Sequence, residues 1–366
     1  LISNSTSGPF IDDLVVSAPP CGSAGACGDG NPCTVDSCDA KAGTCSHVPM
    51  TTGACAKTET IAGTVTYDDI PLAAPGSSGG AGLIYTKSKV APVRRALVRA
   101  VNAKNTSSLV AWTVTDDKGA YTLTIPAGKA VKVQVVARMH ARGNKPDGIA
   151  PDACKGAWWD VRVVDNVKDQ ALYVIESAEA VTATASDHDL HAPTVYGYVA
   201  MPGSAAKPAA KSCAGRCGAF KVGASCQCHA GCVAKKSCCG DIKTTCKAGY
   251  QLRSGAPFAI LDDALKVISA ICESEADIDL PAMRFNWSVA NVGEDGDKAK
   301  GQIGNAHFTS GGKWGPAIYL RGKEDVKTDE YSPFTVAHEF AHFTHFSLSR
   351  SDSLGGAHTL GDTSDP

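Results

Sequence analysis

Sixteen cysteines, most of them in two dense clusters, constrain what this chain can fold into more than any other feature. Six fall at Cys21, Cys27, Cys33, Cys38, Cys45 and Cys55, and eight at Cys213, Cys217, Cys226, Cys228, Cys232, Cys238, Cys239 and Cys246. Cys154 and Cys272 stand alone. The clusters lie in short Gly-rich stretches that cannot bury a core of their own, so cross-links must hold them. Structural zinc is the rival use of clustered thiols. Cys226-Gln-Cys228 and the adjacent Cys238-Cys239 lack the paired C-x₂-C knuckles of zinc ribbons, which leaves disulfides. Disulfides persist in an oxidising compartment, so the pattern predicts an exported protein, secreted or at the cell surface. Cys154 and Cys272 are expected to pair with each other, because a leftover thiol in that compartment would be oxidised.

The rest of the composition narrows the function classes. A content of 43% hydrophobic and 20% charged residues is that of folded protein. The balance of 35 basic against 37 acidic residues provides no electrostatic footprint for nucleic acid or an anionic membrane. No apolar run approaches the roughly 18 residues that would span a bilayer. Leu1 opens without a charged n-region and an apolar h-region, so a secretory signal is expected to have been removed or left out.

The pattern along the chain predicts several units. Residues 1–20 read as an extended leader whose Phe10, Ile11, Leu14, Val15 and Val16 need a surface to cover them. An open sheet edge in the same chain is the expected acceptor; an edge in a second copy would make the protein self-associate into filaments. Residues 21–57 read as a cysteine-rich knot, in which Asp29, Asp36 and Asp39 offer a weak Ca²⁺ site. Residues 58–205 alternate apolar and polar positions in short runs at 61–67, 93–101, 109–115, 120–125, 130–139, 158–164, 171–176 and 194–199. Turn residues such as Asp116-Asp117-Lys118-Gly119 separate them, which predicts an all-β sandwich. Asp187-His188-Asp189 with His191 reads as a polar loop. Lys207-Pro208-Ala209-Ala210 reads as a linker to the second cluster, 212–247. From 250 to 366 the periodicity is mixed α+β: Phe258, Leu261, Ala264, Leu265, Ile268 and Cys272 fall at helical spacing, and short strand candidates follow.

Three segments carry resemblances. The run from Thr113 to Pro126 resembles transthyretin-like, carboxypeptidase-regulatory-like sandwiches, modules that seldom catalyse anything. The run from Cys27 to His47 resembles small cysteine-rich repeats of exported myxobacterial proteins. Ser212-Cys213 through Cys217, Cys226-Gln-Cys228, Cys232, Cys238-Cys239 and Cys246 resemble a somatomedin-B domain in all eight cysteines. That resemblance implies a disulfide knot used for protein–protein contact.

His338-Glu339-Phe340-Ala341-His342 is the candidate chemistry. Positions i and i+4 share one helical face, so two imidazoles there can hold one Zn²⁺, with Glu339 placed as general base toward a metal-bound water. Ser332-Pro333 supplies an N-cap and a first-turn proline. Val336, Ala337, Phe340, Ala341 and Phe343 make the helix apolar enough to bury. With Ser349-Arg-Ser-Asp-Ser-Leu-Gly-Gly356 behind it, the motif resembles a family of exported bacterial metalloproteases, myxobacterial in type, over about Ser254–Pro366. The family has Gly where this chain has Ala341. The resemblance implies the N-terminal half of an α+β zincin fold, gluzincin-like, with the strand 316–320 as the edge that pairs with substrate. It also implies a third ligand, a Glu in a Gly-Glu-Gly-Trp context, which this chain lacks; the zincin-like region is thus expected to be C-terminally incomplete. His345 is one helical turn too far along to converge on the same ion, and His358 follows a Gly-Gly loop. The expected function is a secreted zinc endopeptidase acting on protein or peptide substrates. The alternative is a non-catalytic extracellular structural or adhesive subunit on a degenerate protease scaffold, associating through the somatomedin-B-like segment or the leader.

Overall fold

A computed structural model describes residues 33–39, 44–50, 52–53, 57–72, 83–84, 87–142, 158–182, 184–201, 211–217, 221, 223–228, 232, 236–274, 280–312, 315–323 and 328–348. The leader, the linker 207–210, Asp29, Cys21, Cys27, Cys55, Cys154 and His358 lie outside them. In the first cluster, β1 (Thr34–Asp39) and β2 (Thr44–Pro49) form an antiparallel pair in which Cys38 lies opposite Cys45.

Alternation in β3 (Thr58–Asp69) buries Ile61, Val65 and Tyr67, and in β7 (Ala120–Pro126) it buries Tyr121, Leu123 and Ile125. The two pair antiparallel, while β4 (Lys89–Pro92) and β12 (Leu190–Ala192) flank β3. The turn before β7 closes at Gly119, whose φ of 77° suits glycine, and the Asp116 carboxylate accepts from the Lys118 and Ala120 amides at 2.8 Å each. The strand expected over 93–101 is interrupted at Arg95, whose φ is 58°. The buried Arg95 guanidinium reaches Asp117 at 2.6 Å, so a side-chain contact holds the backbone off the strand path.

A second sheet has nine strands in the order β16-β17-β15-β9-β8-β5-β6, with β10 (Ala171–Leu172) on β9 and β11 (Val174–Glu176) on β8. Here β5 is Ala96–Asn102, β6 Asn105–Val114, β8 Val131–Arg142 and β9 Trp158–Asp165. The remaining three strands come from late in the chain: β15 (Met283–Trp287) runs parallel to β9, β17 (Ala317–Leu320) runs parallel to β15, and β16 (His307–Thr309) closes the edge antiparallel to β17. Residues read from sequence as two units, 58–205 and 250–366, therefore share one sheet. They also share one apolar core, from Ile61 and Val133 to Phe258, Phe285 and Phe340.

Two long helices cover the inner face. Helix α2 (Ala256–Ser274) buries all six apolar positions that its periodicity singles out, Phe258 to Cys272. Helix α3 (Pro333–Leu348) packs beside α2 and over β16 and β17. One expected sandwich strand goes elsewhere: β13 (Thr194–Ala200) joins neither larger sheet and pairs with β14 (Cys246–Arg253), forming a two-stranded ribbon. The second cysteine cluster, with the short helix α1 (Ile242–Thr245), lies between those two strands in the chain. Among the described residues no helix is long and apolar enough to cross a membrane.

Candidate metal centre

The start of α3 is fixed by its own sequence. The Ser332 hydroxyl accepts from the Thr335 amide at 3.2 Å, its carbonyl accepts from the Val336 amide at 3.0 Å, and Pro333 occupies the first turn, where no amide donor is needed. One face then buries Val336, Glu339, Phe340 and Phe343. Phe340 packs on Phe285 of β15 at 6.3 Å between ring centroids, and Phe343 meets Phe308 of β16 at 6.1 Å. Ala341, counted on sequence among the burying residues, is exposed, and Ala337 is half-buried. The helix is thus covered on one side only.

His338 and His342 stand half-buried at the margin of that covered face. Their Nε2 atoms are 3.3 Å apart. Two nitrogens bound to one tetrahedral ion at about 2.0–2.1 Å lie roughly 3.3–3.4 Å from each other, so the donor pair has the edge length of such a site. Phe334 stacks on His338 at 6.2 Å. Glu339 is only 6% exposed, on the core side of the two imidazoles. No third His, Cys, Asp or Glu joins them among the described residues. The one group of three there with ligand-like spacing is Cys213, Cys228 and Cys239, and each of these is in a disulfide. His345 is half-buried further along α3. The strand expected to be the open edge, 316–320, is not the edge: β16 pairs with β17 along its outer side, so His307–Thr309 form the sheet boundary next to α3.

The approach to α3 contains a cluster that sequence reading missed. Three consecutive residues, Asp329, Glu330 and Tyr331, each grip a different part of the chain. Asp329 takes a two-pronged bond from Arg321, at 2.8 and 3.0 Å, and that hydrogen bonding, with the Asp329 charge, raises the Arg321 pKa against the effect of burial. Glu330, fully buried, pairs with the Arg253 guanidinium at the end of β14 and accepts from the Trp287 indole at 3.3 Å. Arg253 also donates to the Gly322 carbonyl and lies over the Trp287 ring, 5.0 Å from its centroid. Gly322 is required there, because a Cβ would collide with the Ser288 carbonyl. Tyr331 bonds through its hydroxyl to Thr194 Oγ1 at 2.6 Å, at the start of β13. These residues are far apart in sequence and in no motif; only the acidic pair before the N-cap hinted at them.

The second cysteine cluster is held by four bridges, Cys213–Cys228, Cys217–Cys246, Cys226–Cys239 and Cys232–Cys238. Its neighbouring cysteines thus go to different partners. Asp241 adds a polar tie, accepting from the Ser212 hydroxyl at 2.5 Å and the Cys213 amide at 3.0 Å. Cys33, Cys38 and Cys272 are also disulfide-bonded; the Cys154 half of the expected Cys154–Cys272 bridge lies outside the described residues. Of the Ca²⁺ candidates, Asp36 is half-buried on β1 and Asp39 ends that strand.

Two segments match known families. Residues 211–249 match the somatomedin B domain, and residues 26–50 match a Dictyostelium (slime mold) repeat. The first segment is similar to somatomedin B in sequence, and in this structure four disulfides cross-link it. Neither match reaches α3. No curated protein and no solved structure matches the chain. The somatomedin-B-like segment and its four disulfides support a secreted or cell-surface setting.

Proposed function

We propose that this chain carries the helix of an exported zinc endopeptidase. The 3.3 Å spacing of His338 and His342 Nε2 on one helical face, with Glu339 buried behind them, carries the reading. In this reading His338 and His342 would hold the ion through Nε2, with a third ligand from outside the described residues. Bound zinc supplies Lewis acidity toward a water and a scissile carbonyl. Glu339 would serve as the general base, taking a proton from water on a carboxylate oxygen and passing it to the leaving amine. The edge strand β16 offers backbone donors and acceptors to an extended peptide beside the helix. The test is metal content and casein hydrolysis in wild type, His338→Ala and Glu339→Gln. Glu339→Gln is expected to keep zinc and lose hydrolysis by at least about 100-fold, while His338→Ala loses zinc. Unchanged hydrolysis in Glu339→Gln would sink the mechanism.

A second reading is favoured by the family match at 211–249: a non-catalytic extracellular subunit that binds proteins through its cysteine-rich segments. It predicts no zinc in purified wild type and no proteolysis, with partner binding lost when the knot is reduced.

A further inference from the structure

The somatomedin-B-like segment and the motif helix are joined by one continuous physical path. Thr194 and Arg253 are register partners at the core end of the β13–β14 ribbon. Both are gripped by consecutive residues just ahead of α3: Glu330 takes Arg253, and Tyr331 takes Thr194. At the other end, Cys246 opens β14 opposite Ala200 and is bridged to Cys217 of the knot. The backbone from Cys246 to Arg253 is extended, about 23 Å at roughly 3.3 Å per residue. Thr194 is tied down further by its backbone amide, which donates a hydrogen bond to the Asp68 carboxylate at 2.8 Å.

We propose that the ribbon is a lever between the knot and the motif helix, with Glu330 and Tyr331 as positioning residues for His338 and His342. The physical ground is the stiffness of the contacts at its base. A buried ion pair and a hydroxyl–hydroxyl bond, separated by one peptide unit, fix both strands of the ribbon relative to the Ser332 cap. A shift of the ribbon must therefore either break a desolvated contact or move the first turn of α3. A merely structural pair at that place would stabilise the core without linking the knot to the helix. Residues 211–249 thus gain a role beyond docking, as the site at which a bound protein acts on the spacing of the two imidazoles. The part of this inference that concerns metal affinity rests on the proposed metal centre; the lever does not.

The experiment uses the full chain and two readouts: amide exchange along α3 without metal, and Co²⁺ affinity from visible absorbance. Glu330→Gln breaks the base of the lever, and Arg253→Lys is a second variant in case the first folds poorly. A Cys217→Ser/Cys246→Ser double variant frees its tip. Exchange in β5 and β8 serves as the folding control. Glu330→Gln is expected to raise exchange in the first turns of α3 at least tenfold and to weaken Co²⁺ binding by about the same factor. The tip variant is expected to act in the same direction, about threefold. If the base variant loosens α3 and the tip variant does not, the clamp stands but the lever is overturned. If neither changes α3 exchange, both are overturned. Failure of wild type to bind Co²⁺, with α3 exchange responding as expected, would remove the metal centre and leave the lever.

Discussion

The knot at 211–249 and the helix α3 solve the same problem, holding functional residues in place, by opposite means. Among its described residues the knot's apolar cluster consists of its own cysteines and Ile242, and four disulfides cross-link it. Helix α3 is joined by packing and polar contacts: Phe340 and Phe343 on the sheet, Ser332 at its cap, and Glu330 and Tyr331 clamped ahead of it. A cross-link constrains the unfolded chain and tolerates an irregular surface, whereas packing has to be complementary at every contact. The knot is therefore suited to presenting a variable surface, and α3 to holding two nitrogens at a fixed spacing.

The largest effect expected to separate the two is reduction. Each bridge in the knot contributes about 2–4 kcal/mol in the loop-entropy model, and together they exceed what so small a core supplies. Mild reductant should raise amide exchange throughout 211–249 while β5, β8 and β9 stay protected; simultaneous loss of the nine-stranded sheet would show that the two regions are not separately stabilised. Next comes Arg253→Met. It leaves the fully buried Glu330 carboxylate without its cation, and breaking one side of such a pair costs about 3–5 kcal/mol. Urea unfolding followed by tryptophan fluorescence reads this directly, since Trp287 lies against both residues. A loss below about 1 kcal/mol would mean that water reaches Glu330.

The same contrast explains what the sequence made legible. The knot's cysteine spacing is local and dense, so its extent was readable to within a few residues. Helix α2 and the cap of α3 were readable too, because periodicity and capping are properties of adjacent residues. Sheet membership was not. Nothing near Met283 or Ala317 indicates that β15 adds parallel to β9 and carries β17 with it, since pairing between distant strands leaves no local signature. The run at 194–199 reads as strand equally well in a sandwich or a ribbon. Arg253, Glu330 and Tyr331 were invisible for a related reason: they carry meaning only as a set.

The nine-stranded sheet and helix α2 also differ in how they respond to protons. Burial alone would raise the Asp160 pKa, but Arg138 and Arg162, at 2.9 and 2.6 Å, outweigh it and hold the carboxyl down at about 2. Its folded pKa is below the unfolded value of 3.8, so its contribution is present above that pH and is lost as pH falls toward 2. Asp263 on α2 has the opposite sign. Burial pushes it up to about 6, against the pull of Lys266 and with help from the Asp262 and Asp69 charges. Its contribution is present below 3.8 and is lost as pH rises through 6. Asp263→Asn should therefore flatten stability between pH 4 and pH 6 and gain on the order of 2 kcal/mol at pH 7 relative to wild type. Parallel Tm profiles for the two proteins would refute the assignment.

The smallest effect tests whether α3 depends on its own cap or on the clamp. The Ser332 hydroxyl takes the Thr335 amide at 3.2 Å and shares a hydrogen bond with the Thr335 hydroxyl at 2.8 Å. Removing an N-cap hydroxyl costs about 1 kcal/mol where the cap carries the helix end. Ser332→Ala should thus lower the urea midpoint modestly and raise exchange in the first turn of α3, and Ser332→Asp should restore both, since an anion there also meets the positive end of the helix dipole. Glu330 and Tyr331 hold the backbone two residues and one residue ahead, so they can substitute for part of the cap. If Ser332→Ala proves silent while Glu330→Gln frays the helix, local capping contributes little and tertiary contacts define where α3 begins. In that case the positions of His338 and His342 are set by residues more than 60 positions away in sequence, as the separation of Arg253 from Gly322 already illustrates.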